Sequence, residues 1–161
     1  MRSQLNTNCR STIVDASLTD QTRTEWRALG FYYDREDSTK QWRFSGSRMG
    51  LLRFADLLYA YVADPRNKLL SEHEHYGPYS YLEVMTWQDA GIDNHSIHGS
   101  LEDLERLGTI TRMTVEQLRP GDTAQIREQF AADSEYCLVL SMREDDFDPA
   151  SLDVNLVGGT G

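Results

Sequence analysis

Two cysteines in 161 residues cannot build a disulfide framework, and their settings argue against one bridge as well. Cys9 lies in a polar stretch and Cys137 in an apolar, strand-like run, so a reducing compartment, the cytoplasm, is expected. No apolar run approaches the roughly 20 residues of a membrane helix. The start, MRSQLNTNCRST, lacks the apolar stretch of a secretory signal, so a soluble chain without a membrane partner is expected. Positive charge is scarce: 16 Lys and Arg face 26 Asp and Glu, a formal net charge of −10. Nucleic-acid binding by phosphate neutralisation needs the opposite sign and is disfavoured. There is no His-Glu-x-x-His helix, Cys-x-x-Cys pair, Gly-x-Ser-x-Gly elbow or Walker spacing. The expectation is a non-enzymatic protein without a cofactor.

What is present begins with the placement of the acids. Glu116, Asp122, Glu128, Asp133, Glu135, Glu144, Asp145, Asp146, Asp148 and Asp153 face only Arg119, Arg127 and Arg143 late in the chain. Such a surface keeps a protein soluble or steers it to a basic partner. The length suits one core, read as a single domain over residues 1–150 followed by a loose tail over 151–161.

Along the chain, STIVDAS reads as a short strand and LTDQTRTEWRALG as a helix closed by Gly30 at a left-handed position. FYYDREDSTKQWRFSGS reads as a hairpin, with Phe31 and Tyr33 on one face answered by Trp42 and Phe44, and Tyr32 on the other. Leu51, Ala55, Leu58 and Val62 recur at helical spacing until Asp64 and Pro65 end the helix. Tyr79 to Trp87 alternates as a strand. Ser100 with Asp103 forms a capping box before a helix carrying Leu101, Leu104 and Leu107. Arg-Pro-Gly-Asp at 119–122 breaks the chain, residues 124–131 read as short helix or extended, and Glu135 to Met142 as a central strand. Trp26, Trp42, Trp87, Phe31, Phe44 and Phe54 are the expected aromatic core.

One pattern is longer-range. Phe44 and Ile97 each precede x-Gly-Ser and a helix with Leu51 or Leu104, Arg53 or Arg106, and Phe54 or Leu107 in register. Each helix is followed by a tyrosine-led strand, at Tyr81 or Tyr136. This reads as a possible internal pseudo-repeat. The fold class is α+β, a two-layer sandwich whose mostly antiparallel sheet carries two long helices on one face.

Chemistry concentrates in SEHEHYGPYSYLE, Ser71 to Glu83. If that segment is extended, His73 and His75 share a face about 6 to 7 Å apart, a spacing at which two imidazoles can hold Zn²⁺ or Fe²⁺. A third ligand would come from His95, His98, Glu83 or Asp93; against this stands the plainer reading of exposed loop histidines. Tyr76, Tyr79 and Tyr81 line the edge where the histidines emerge and suit a protein-binding surface. Asp145, Asp146 and Asp148 resemble loose Ca²⁺ ligands without the twelve-residue loop, and read as a solvated acidic segment. SGSRMG with Arg48 could cradle an anion, although helix capping explains it.

The segments LGFYYD, WRFSGSRMGLLRFADLLYAYV, HEHYGPYSYLEVMTW, IHGSLEDLERL and FDPASLD together resemble small bacterial immunity-type proteins of polymorphic and contact-dependent toxin systems. The likeness lies in layout over about Leu29 to Asp153. It implies a non-enzymatic cytoplasmic protein that binds and neutralises a cognate, often basic, toxin. The alternatives are a small metal-binding domain or metal-dependent enzyme centred on His73 and His75, and a small-ligand module with a pocket near Tyr79 and Trp87.

Overall fold

The computed structural model describes residues 17–158, with side-chain burial defined through residue 156. Cys9 and most of the STIVDAS segment lie outside the described residues. The first helix, α1, covers residues 17–29 and ends as expected: Gly30 turns left-handed at φ +96 and donates its N–H to Trp26 O at 3.0 Å. The hairpin follows as β1 (Tyr32–Glu36) and β2 (Gln41–Gly46). Tyr33 stands opposite Phe44 and Arg35 opposite Trp42, which puts the buried aromatic side chains on one face.

Then come α2 (Arg48–Ala63), β3 (His73–Tyr76), β4 (Leu82–Thr86), β5 (Gly91–Ile92), β6 (Ile97–Gly99), α3 (Leu101–Gln117), β7 (Thr123–Ile126), β8 (Cys137–Met142) and the short α4 (Val154–Gly158). Ser47 and Ser100 cap the two long helices. Ser47 Oγ accepts from Gly50 N at 3.1 Å, and Ser100 and Asp103 complete a reciprocal capping box. Arg48 does not face an anion site. Its guanidinium donates to Val115 O at 2.7 Å and Leu118 O at 2.6 Å, satisfying the carbonyls that end α3.

The strands form two four-stranded sheets, β1-β2-β8-β7 and β3-β4-β6-β5. In each, two antiparallel pairs flank one parallel pair, so the α+β class holds with antiparallel pairing in the majority. The helices α2 and α3 pack on one another over the inner faces. One cluster of buried residues, including Trp26, Phe44, Phe54, Leu82, Leu104 and Leu138, joins both sheets to the helices.

The pseudo-repeat extends over two β-β-α-β-β units, β1-β2-α2-β3-β4 and β5-β6-α3-β7-β8. Each sheet takes the leading hairpin of one unit and the trailing hairpin of the other. The registers agree residue by residue: Gly46 stands opposite Met142 where Gly99 stands opposite Thr86. His73 opposite Met85 matches Thr123 opposite Ser141. Ser71 and Gly121, both left-handed, each donate an N–H to the last strand residue, Thr86 O or Met142 O, at 2.9 and 2.8 Å. On the helices, Leu51, Phe54, Ala55 and Leu58 are buried, as are Leu104, Leu107, Gly108 and Thr111. Neither unit closes a sheet by itself, so both must fold together.

Three expectations need correction. The strand begins at Leu82 rather than Tyr79, because Tyr79 and Ser80 are left-handed at φ 67 and 56 and form a tight turn. Residues 124–131, read as short helix or extended, take the extended alternative at their start, as strand β7 paired with β8. Residues 151–158 are not a loose tail: Asp153 is buried and hydrogen-bonded, and Leu156 joins the core. Trp87, expected inside, is 39% exposed. No described helix is long and apolar enough to cross a membrane.

Candidate functional site

The inner and outer faces of the second sheet divide its side chains cleanly. Leu82, Val84, Thr86 and Ile97 point inward and are buried. His73, His75, Glu83, Met85 and His98 fall on the opposite face by strand alternation and register. β3 is an edge strand and β4 an interior one. His75 lies directly across from Glu83, and His73 lies diagonally from it.

The side chains converge. One ligand atom each from His73, His75 and Glu83 lie within 4.8 Å of one another, and no other group of three or more His, Cys, Asp or Glu does so among the described residues. The Nε2 atoms of both histidines stand 3.9 Å from Glu83 Oε1, and the two rings meet edge to face at 5.2 Å. The other ring nitrogens are committed. His73 Nδ1 lies 3.0 Å from Ser71 O, and His75 Nδ1 lies 3.0 Å from Ser80 O. A carbonyl only accepts, so each Nδ1 carries the proton, and in the neutral ring each Nε2 presents a lone pair towards the carboxylate. With both rings neutral, three electron-pair donors face each other.

The backbone at those two carbonyls is unusual. Among the described residues only Lys40, Ser71, Tyr79 and Ser80 are non-glycine residues at positive φ. Two of these four supply the carbonyls that orient the imidazoles. A non-glycine residue held left-handed costs on the order of 1–2 kcal/mol, and such outliers concentrate at functional sites. The turn is pinned from the core side by Tyr33, whose hydroxyl donates to Pro78 O at 2.5 Å, lies 3.2 Å from Tyr76 O and accepts from Tyr81 N at 3.3 Å. Burial pushes the Tyr33 phenol up to about 12.

Beside this turn lies a cleft of about 500 Å³. Trp26 of α1 and Tyr32 of β1 pack with ring centroids 4.8 Å apart, Tyr79 meets Trp26 edge-on at 6.4 Å, and Tyr79 stacks on Tyr81 at 5.9 Å. Asp153 is its buried acid. Oδ2 accepts from Trp26 Nε1 at 2.8 Å and from Tyr79 Oη at 2.7 Å, and Oδ1 accepts from Asn155 N at 2.9 Å. Burial is the main cause raising the Tyr79 phenol, reinforced by the neighbouring Asp153 carboxylate. Ser80 joins the two features, because it stands between the cleft tyrosines and holds His75.

Of the sequence-derived candidates, His73 and His75 come together with Glu83. His95 and His98 do not join them: His95 sits in the Asp93 turn, and His98 Nδ1 lies 3.0 Å from Asp89 O with Nε2 3.5 Å from Asp93 Oδ2. Tyr79 and Tyr81 line the cleft, whereas Tyr76 turns inward against the core. Asp145 and Asp146 are exposed on the loop leaving β8, with Asp146 beside Arg27 and the start of α2. Asp148 instead pairs with Arg27 at 2.9 Å, and that contact holds its carboxyl below the usual range. Cys137 is buried, which pushes its thiol up. Sequence reasoning places Trp26 only in the core and Asp153 only among the late acids, and gives Ser71 and Ser80 no role; their places at the site arise from φ values and long-range contacts.

Comparison with protein-family models, with curated proteins and with solved structures returns no match.

Proposed function

We propose that this chain binds a divalent transition-metal ion through His73 Nε2, His75 Nε2 and a Glu83 carboxylate oxygen. The observation that supports it is the pair of Nδ1 contacts to Ser71 O and Ser80 O, which commit both Nε2 lone pairs to the space before Glu83. Backbone carbonyls that fix the distal nitrogen are the usual support of a metal-bound imidazole. Two imidazoles and one carboxylate suit Zn²⁺, Fe²⁺ or Co²⁺ rather than Ca²⁺ or Mg²⁺. Ligand atoms about 2.1 Å from a tetrahedral ion are about 3.4 Å apart, so the 3.9 Å histidine–carboxylate distances, in a set that lies within 4.8 Å, close by rotations of the half-exposed imidazoles. Three protein ligands leave at least one position for water or a second molecule, the arrangement that Lewis-acid and water-activating sites share.

Cobalt titration of untagged protein, followed by visible absorption and by elemental analysis, tests this. One ion per chain is expected, lost in the His73→Ala, His75→Ala double variant. Substoichiometric metal unaffected by that variant would end the proposal.

The acidic charge favours a second, compatible reading: a binding protein of immunity type whose partner is basic. The outer edge of β3, unpaired among the described residues and beside exposed Tyr79 and Tyr81, is where such a partner would find both backbone groups and aromatic anchors. Co-purification with neighbouring gene products as bait tests it; no complex at low or moderate salt would count against it.

A further inference from the structure

We infer that the Trp26–Tyr32–Tyr79–Tyr81 cleft is a recognition site for a methylated ammonium group. This stands whether or not the histidines take a metal. The cleft, at about 500 Å³, falls in the size range of small-ligand sites, roughly 300–1,000 Å³. Its accessible rings are those of Tyr32, Tyr79 and Tyr81, standing on the buried Trp26, and aromatic quadrupoles attract a cation within about 6 Å of the ring centre.

The charges around the cleft decide the sign of the ligand. Asp34 is matched by Arg43, which donates Nε at 3.0 Å and Nη2 at 2.7 Å to its two oxygens. Arg35 is matched by Asp37, with Nε 2.7 Å and Nη2 3.2 Å from its carboxylate oxygens, and lies over the Trp42 ring at 5.9 Å. Asp153 alone is unmatched. It is 3% exposed, and it joins none of the ion pairs among the described residues. A buried carboxylate with only neutral donors leaves the cleft one positive charge short.

Hydrogen-bond capacity then separates the cations. A carboxylate has about four lone-pair sites, and three of those on Asp153 already receive Trp26 Nε1, Tyr79 Oη and Asn155 N, which leaves about one. A primary ammonium brings three donors and a guanidinium five, most of which would be stranded there. A methylated ammonium brings charge and apolar surface without that demand. Tyr79, left-handed at φ 67, is held with its hydroxyl on Asp153 and its ring against Tyr81, so the walls are set before any ligand arrives.

Calorimetric titration of the full chain with choline, with its uncharged tert-butyl isostere and with a short trimethyllysine peptide tests the proposal. Choline or the peptide should bind at least about tenfold more tightly than the isostere. Whichever binds tighter tells a free small molecule from a modified side chain. Tyr81→Ala, at a residue 69% exposed and so dispensable to the core, should weaken cation binding about tenfold or more. Asp153→Asn should erase the preference over the isostere. Equal binding of cation and isostere, or no saturable cation binding at millimolar concentration, would overturn the proposal. So would unchanged affinity in Tyr81→Ala.

Discussion

The β3–β4 and β7–β8 hairpins occupy equivalent places in the two repeat units and pair in the same register, yet their outer faces have nothing in common. Where one carries His73, His75 and Glu83, the other carries Thr123, Gln125 and Val139. Inside, the two agree: Leu82 and Val84 are buried as Leu138 and Leu140 are. The connections diverge as well. The first is a tight turn over residues 77–81 with three residues at positive φ, and the second runs over residues 127–136 and buries Phe130 under Arg106. The fold therefore specifies the inner face and the left-handed residue at 71 or 121, and leaves the outer face free. Three convergent ligands on one hairpin, and none on its counterpart, are not a requirement of folding.

The largest expected effect comes from erasing that difference. The triple variant His73→Thr, His75→Gln, Glu83→Val copies the second hairpin onto the first. Metal affinity should fall more than about a hundredfold, because all three donors are gone. The melting temperature without metal should move by no more than about 3 °C, since all three positions lie on the outer face, the two histidines half-exposed, and contribute little to the core. A large loss of stability would show that the histidines are structural.

A smaller effect separates the two inner faces. Tyr33 and Ile92 are equivalent by register, but only Tyr33 carries a hydroxyl, and that hydroxyl pins the turn holding Ser80. Tyr33→Phe should cost about 1–3 kcal/mol in denaturant unfolding, because the buried Pro78 O and the part-buried Tyr81 N–H lose a partner. The pH dependence has a definite sign. The folded pKa is raised from 10.0 to about 12 by burial, so folding favours the neutral phenol. Its stabilisation is complete below the free value and is lost as pH rises through the window between the two. Urea midpoints from pH 9 to about 12 should therefore fall less steeply in Tyr33→Phe than in the parent.

How much of this was legible beforehand follows from which forces are local. Gly30, Ser47, Ser100 with Asp103, and the Asp64-Pro65 stop act within a few residues, so sequence alone placed α1, α2 and α3. The Gly-Ser repeat was visible for the same reason. The division of strands between two sheets was not, since β2 pairs with β8 across almost the whole chain. The histidine pair was legible from strand alternation, but Glu83 could be chosen over His95, His98 and Asp93 only once the β3–β4 register was known. Asp153 was hidden for a like reason: its partners Trp26 and Tyr79 lie 127 and 74 residues away.

The helix caps offer a finer test of equivalence. Ser100→Ala should cost about 1–2 kcal/mol and Ser47→Ala about 0.5–1 kcal/mol, because only Ser100 belongs to a reciprocal box. Equal losses in thermal unfolding would mean that the Asp103 side chain adds nothing.

The smallest effect is the most specific. Ser71 and Gly121 hold the same left-handed place, and the serine has a Cβ where the glycine has none. Ser71→Gly should raise stability by about 0.5–1 kcal/mol, relief of the strain being partly offset by the looser unfolded chain. The carbonyl that accepts from His73 is backbone, and the neighbouring Ser71 N–H remains tied to Thr86 O at 2.9 Å. Cobalt affinity should therefore stay within about threefold of the parent. A stabilised variant with parental affinity would assign the site's order to the register of β3 and β4. A stabilised variant that binds metal more than tenfold more weakly would instead assign it to the serine's stiffness, and would explain why this unit kept a strained residue where the other has glycine.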